Sequence, residues 1–486
     1  MIRRLETPTS RCRFGLATAD ITPPVGMYHR MWGAATHDRS TGVHRPLLAT
    51  AMAFAPRDVE APEPPFVLLT VDHCLLWTPD MARIRAAVLQ ASGLPAERVV
   101  VTFSHTHGSG LLDPSRHDLP GGELIAPYLE RLAGQLAELT VRALAALAPA
   151  TITHARGDCR LAAHRDAWDE ATGQFVCGLN PEGPADATVI VGRVTDASAR
   201  PVAIIANYAC HPTTLAWENT LISPDYIGAF RETVEREAGA PCVFLQGASG
   251  DLGPRHGYVG DVAIADRNGR ELAYAALAAL ESMGPPDADF GYDGPVISGA
   301  TLGVWSHRPF DASRRAAAES FAVRRIDVPL PYIPGRPDVG QLEAELREHR
   351  DRESAARSAG DEAVARDQRA LAERATRALA RWGSLPPGDR FPYQVTLLRL
   401  GDAIWVTAEG EPYQLLQTEL RRRFPDRTLL VLSLADGWRC SYLPTRETYG
   451  RGIYQEQVAM LAAGALEEVI ASAAAEIGEM LPGTNE

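Results

Sequence analysis

The feature that most constrains this chain is a set of short apolar runs that do not alternate in polarity. Phe66–Val71 reads FVLLTV, residues 98–103 read RVVVTF and Cys242–Gln246 reads CVFLQ. Runs of this length, rich in Val, Leu and Phe, are strand-like. Apolar residues at every position imply strands covered on both faces. Similar runs lie at 187–194, 202–208, 393–400, 403–407 and 428–434, and helically patterned stretches lie at 124–147, 226–237 and 454–480. Such alternation predicts an α/β or mixed α+β core. No internal repeat is visible.

One stretch departs from this pattern. Residues 341–381 are dense in Ala, Glu, Arg and Leu, broken at Ser358-Ala359-Gly360-Asp361 and flanked by prolines at 329–337 and 386–387. This predicts an antiparallel helical hairpin, inserted at 338–382 into a single catalytic domain spanning 1–486. The hairpin is either a solvated decoration, or an active-site lid or arm through which a homo-oligomer would form.

Composition narrows the functional classes. Across 486 residues, 45% are hydrophobic and 22% charged, an ordinary globular balance. A net charge of −13 argues against nucleic acid as a partner. The chain has no lysine, so all 48 basic residues are Arg, which excludes Schiff-base and P-loop Lys chemistry. Seven scattered cysteines, with no Cys-x-x-Cys pair, fit reduced thiols in a cytoplasmic protein better than a disulfide framework. No apolar stretch follows the first arginines, so no secretion signal is expected, and no run of about 18 apolar residues predicts a membrane span.

The residues able to carry chemistry stand where strands end, the usual place for ligands in open α/β sheets. Ser104-His105-Thr106-His107 follows one run and leads into Gly108-Ser109-Gly110. In an extended chain, residues i and i+2 share a face, so both imidazoles can enter one site; a structural or surface pair is the alternative. His211, in Asn207-Tyr208-Ala209-Cys210-His211-Pro212, ends another run; alone it reads equally as a core histidine. The Cys242–Gln246 run enters Gly247-Ala248-Ser249-Gly250-Asp251-Leu252-Gly253-Pro254, whose N–H groups could meet a substrate oxygen or merely form a turn. Ser249 does not sit in a Gly-x-Ser-x-Gly elbow, which argues against a nucleophilic serine. Glu409-Gly410-Glu411 offers carboxylates, and catalytic zinc sites join His nitrogens to a carboxylate while leaving a position for water. Tyr442 and Tyr454 lie beyond it.

Taken together, these segments resemble the neutral, non-lysosomal ceramidase family and its shorter bacterial relatives. Ala17-Thr18-Ala19-Asp20-Ile21-Thr22-Pro23-Pro24 is similar to the family's Ala-Asp-Ile-Thr-Pro-Pro motif, and residues 102–110 to its Thr-His-Thr-His-Ser-Gly strand end. Residues 207–213 are similar to the segment bearing its second metal histidine. Gly250-Asp251-Leu252-Gly253-Pro254 resembles its Gly-Asp-Val-Ser-Pro loop, and Tyr442-Leu443-Pro444-Thr445 its Tyr-Ile-Thr-Thr segment. The likeness spans most of residues 12–465 apart from the hairpin.

The resemblance implies a ceramidase-like catalytic domain with one Zn2+ held by His105, His211, Glu411 and Tyr442, with Glu409 as the weaker alternative to Glu411. It further implies that His107 contacts the scissile carbonyl, that Tyr454, twelve residues after Tyr442, polarises it, and that Arg165, in Ala163-His164-Arg165-Asp166, lies near the substrate. The family's serine is Gly253 here, which favours metal-activated water over a serine nucleophile. The family's C-terminal immunoglobulin-like domain has no counterpart before Glu486. The implied activity is hydrolysis of an amide (N-acyl) bond in a small or lipid-like substrate. Hydrolysis of an ester, lactone or other non-amide bond, or an inactive binding protein of the same fold, are the alternatives.

Overall fold

The computed structural model describes residues 4–481. Eight strands form one sheet, in the order Cys242–Gln246, Pro201–Tyr208, Thr188–Thr195, Ala148–Asp158, Thr9–Asp20, Leu48–Ala55, Phe66–Val71 and Val99–Phe103. A second sheet orders Phe321–Pro331, Arg390–Leu400, Ala403–Ala408 and Thr428–Leu432.

The apolar runs are buried on both faces because each sheet is sandwiched. Alternate residues of a strand face opposite ways. Ala51, Leu69 and Val101 pack with Ile84, Leu132 and Leu136 of helices Thr78–Ser92 and Ile125–Ala145. The intervening Met52, Leu68 and Val100 pack instead with Leu398, Trp405 and Leu430 of the second sheet. The far face of that sheet, through Leu397, Val406 and Val431, meets Leu416, Leu466 and Ile470 of helices Leu415–Arg423 and Ala465–Met480. The layers therefore run helix, sheet, sheet, helix, a mixed α/β architecture.

Two local expectations need correction. The 454–480 stretch is two helices, Tyr454–Val458 and Ala465–Met480. Between them, Met460 and Leu461 are buried, Leu461 bridges to Tyr332, and Gly464 takes a φ of +95°. The strand at 428–434 stops at Leu432, because Leu434 turns into a left-handed conformation.

That turn matters for the site. The edge strands of the large sheet curl toward one another, and the Thr70 hydroxyl donates to the Phe244 carbonyl at 3.3 Å. Residues 433–436 close the gap. Ser433 N donates to Gln246 O at 3.1 Å, Leu434 N to Gly410 O at 3.0 Å, and Asp436 N to Val101 O at 2.7 Å. One short segment thus ties together strand ends from both sheets.

Helices Val339–Ser358 and Glu362–Gly383 form the expected hairpin. Its second helix is docked on the domain. Glu373, 7% exposed, accepts from Arg116 Nη2 at 2.8 Å and from Tyr28 Oη at 3.1 Å, and Arg369 donates to Asp38 at 2.7 Å. No described helix is long and apolar enough to cross a membrane.

Removing one partner of a buried ion pair leaves the other uncompensated, so Glu373→Ala should cost about 3–5 kcal/mol of docking stability. Burial pushes the Glu373 carboxyl up, but Arg116 and Arg377 outweigh it and hold the group below its ordinary value. A depressed folded pKa stabilises fully above the unfolded value of about 4.3 and fades as pH falls through the folded one. Limited proteolysis of the hairpin should therefore accelerate in acid in the wild type, and at all pH values in Glu373→Ala.

Candidate metal centre

His105 directly follows the Val99–Phe103 strand but does not continue it. Its φ is +67°, a left-handed conformation that costs a non-glycine residue about 1–3 kcal/mol and persists only where the surroundings impose it. Here the backbone N–H of His105 donates to His73 O at 3.0 Å. His107 then starts a 3-10 turn, capped by Thr106 Oγ1, which accepts from Gly108 N at 3.2 Å. The two imidazoles do converge, with ring centroids 5.0 Å apart and planes at 83°, but through this kink and turn, not through extended-strand alternation.

His211 reaches the same place from the other edge of the sheet. Each of these histidines is oriented by a main-chain carbonyl: His105 Nδ1 donates to Cys74 O at 2.7 Å and His211 Nδ1 to Ser249 O at 2.8 Å. That tautomer turns both Nε2 atoms inward, where they stand 3.0 Å apart. Glu411 Oε2 lies 3.1 Å from His105 Nε2 and 3.0 Å from His211 Nε2. The Tyr442 hydroxyl lies 3.4 Å from His211 Nε2. Glu411 and Tyr442 are adjacent because the Glu411–Pro412 and Tyr442–Leu443 strands pair in parallel with these two residues in register. The approach requires Gly410, whose φ is +63° and whose added Cβ would stand 2.3 Å from Ser441 O.

Three buried acceptors facing one another need positive charge between them. Burial pushes the Glu411 carboxyl up, yet the two histidines hold it well below the carboxylate range, and it is ionised. Burial, then Arg165, push His211 down to about 3, so it is neutral. Without a metal, the missing charge is a proton on His105, where burial is outweighed by Cys74 and Glu411. A metal cation satisfies all three lone pairs at once, and the donor set of two imidazoles, a carboxylate and a phenol suits zinc. The residues present therefore fit the ion.

Glu409 points elsewhere. It takes Arg439 Nη1 at 2.5 Å and Gln394 N at 3.3 Å, away from the histidines. His107 has both ring nitrogens buried without a hydrogen-bond partner. Burial, then His105 and His211, hold it well below the usual imidazole value, so it is neutral. Its ring lies 5.1 Å from Trp32, which in turn meets Trp217 and Tyr258 edge-on. Arg165 is buried, donates through Nε and Nη2 to Gly250 O at 3.1 and 2.6 Å, and lies 5.3 Å over the Tyr442 ring. Tyr454 is 48% exposed, with its ring 5.9 Å from that of Tyr442.

Sequence reasoning missed Trp438, whose Nε1 donates to Glu411 Oε1 at 2.8 Å and fixes the carboxylate. Its position four residues before Tyr442 was the available signal. Sequence reasoning also missed Cys74, whose main-chain carbonyl accepts from His105 Nδ1 and whose Sγ lies 3.5 Å from the same nitrogen.

No family model matches the sequence, nor does any curated protein. Solved structures do. A neutral ceramidase from Pseudomonas aeruginosa superposes with a TM-score of 0.67 at 17% identity, over 99% of this chain and 76% of that one. A ceramidase complexed with C2 gives 0.64 at 16% identity, over 98% and 76%. The chain has the neutral ceramidase fold.

Gly410→Ala should destabilise by more than about 1 kcal/mol, since the left-handed backbone and the close carbonyl both oppose a Cβ. The urea midpoint measures this; an unchanged midpoint would contradict the tight pairing of Glu411 with Tyr442.

Proposed function

We propose that this protein is a zinc-dependent hydrolase that cleaves the amide (N-acyl) bond of a small or lipid-like substrate. The observation that carries the reading is the convergence of His105 Nε2, His211 Nε2 and Glu411 Oε2 within 3.1 Å, each held from behind by a hydrogen bond. With the Tyr442 hydroxyl, these residues would hold the ion. When bound, zinc acts as a Lewis acid that lowers the pKa of a water from near 16 to roughly 7 and polarises a carbonyl.

The chain's own groups supply the rest. His107 is neutral, so one ring nitrogen can donate to the carbonyl oxygen or pass a proton to the leaving amine, while the other accepts. The Tyr454 phenol is a second donor for the carbonyl oxygen. Burial holds the Tyr442 phenol well above its ordinary value, against the opposing charge of Arg165, which is anchored on Gly250 O and lies 5.3 Å over the ring. Trp32 covers the His107 ring and excludes water from that side.

A serine mechanism finds no support in this geometry. Ser249 Oγ lies 3.4 Å from His211 Nδ1, but that nitrogen already donates to Ser249 O and cannot take a proton from the hydroxyl. The two ceramidases of the same fold favour an amide over an ester or lactone. All seven cysteines are free, which supports a reducing, cytoplasmic setting.

Metal analysis and turnover test the proposal together. The purified protein should carry one zinc, which His105→Ala and His211→Ala lose along with activity. His107→Ala should keep the metal and lose roughly 100-fold in kcat. Ser249→Ala should lose less than about ten-fold, since no nucleophile is removed. On a panel of N-acyl amines and aryl esters, faster cleavage of esters would overturn the amide assignment, and full activity without metal would overturn the mechanism.

A further inference from the structure

A cavity of about 600 Å³ is lined by both hairpin helices and by Tyr454 and Gln457, and Tyr454 joins it to the metal centre, its ring 5.9 Å from that of Tyr442. Arg374, Arg377 and Arg381 of the second helix line it. Their spacing of three and four residues sets them in one stripe. Two carboxylates also border the cavity. Glu373 pairs with Arg116 at 2.8 Å and with Arg377 at 3.8 Å, and the exposed Glu345 forms no ion pair with any of the three arginines among the described residues. Arg377 is partly satisfied, since its Nη2 donates to Met31 O at 2.6 Å.

Arg381 is not satisfied. Its Nε is buried with no hydrogen-bond partner, and its guanidinium makes no ion pair among the described residues. It lies 5.8 Å from the centre of the Trp438 ring, the same ring whose Nε1 holds Glu411. Burial depresses it to about 10, with Tyr454 opposing and the like charges of Arg377 and Arg374 adding to the fall, so it stays cationic at neutral pH. A part-buried guanidinium without a counter-ion is uncompensated charge, which a bound carboxylate would offset through bidentate hydrogen bonds. The aromatic group of Trp32, Trp217 and Tyr258 beside His107 offers apolar contact for an acyl chain.

Resting on the amide-hydrolase reading, we infer that the substrate is an N-acyl amino acid whose free carboxylate pairs with Arg381 of the hairpin, with Arg377 as its neighbour. On this view the hairpin sets specificity: it selects an anionic compound over a neutral sphingoid-type amide.

Two probe pairs test this. The first is N-octanoylglycine against N-octanoylglycinamide, followed by release of octanoate. The second is the corresponding pair of ketone isosteres, with CH2 replacing the scissile NH, whose Kd is read by calorimetry and needs no turnover. The wild-type protein should prefer the carboxylate at least about ten-fold in kcat/KM and in Kd. In Arg381→Gln that ratio should fall to near one, while Arg381→Lys should retain part of it and show that the fold survives. Turnover of the amides without a carboxylate preference, or a preference unchanged in Arg381→Gln, overturns the inference and leaves the hydrolase reading standing. Carboxylate-selective binding of the isosteres with no turnover of either amide supports the subsite and overturns the amide reading.

Discussion

The structure depends on one electrostatic demand: two imidazole nitrogens and a carboxylate oxygen face one another in a buried space and need positive charge between them. Neither histidine can turn its Nδ1 proton inward, because each commits it to a main-chain carbonyl, of Cys74 or of Ser249. A third restraint, from Trp438, keeps Glu411 from turning away. Such an arrangement is costly unless a cation fills it. Preorganisation of this kind is also what lets a metal site keep its geometry through a reaction.

The scaffold meets the demand by closure. The ligand-bearing segments come from strands far apart in the sheet order, and they meet because the large sheet curls and residues 433–436 stitch its edges to the second sheet. Asn207 adds to this, donating to both Leu245 O and Val431 O at 3.0 and 2.9 Å. The left-handed turns at His105 and Gly410 are local strain tolerated inside this closed frame.

Much of this was legible in the chain. The unalternating apolar runs announced strands covered on both faces, and the composition of 341–381 announced a helical hairpin. The ordered motifs pointed to seven residues, and the structure brings His105, His107, His211, Glu411, Tyr442 and Arg165 together, with Tyr454 against Tyr442. What escaped was of two kinds. Periodicity cannot show that one face of a strand meets helices and the other a second sheet, since both covers are apolar. Nor can it show a kink at a non-glycine residue, so the meeting of His105 and His107 was expected from the wrong geometry. The resemblance alone ranked Glu411 above Glu409, and the ion pair of Glu409 with Arg439 gives the physical reason. The arginine stripe was invisible because a charged helix face ordinarily faces solvent.

A buried glutamate pins the hairpin to the domain, and its second helix lines a cavity with three arginines. The catalytic groups would define the bond that is cleaved, and the hairpin would define the molecule that carries it.

The most direct measurement is a crystal structure of the zinc-loaded protein, with anomalous data collected on both sides of the zinc edge. The account predicts a single peak bound by His105 Nε2, His211 Nε2, Glu411 and Tyr442, with Zn–N distances of about 2.0–2.1 Å and His107 unligated. A peak held by Cys74 and His107, or no peak between His105, His211 and Glu411, would contradict it.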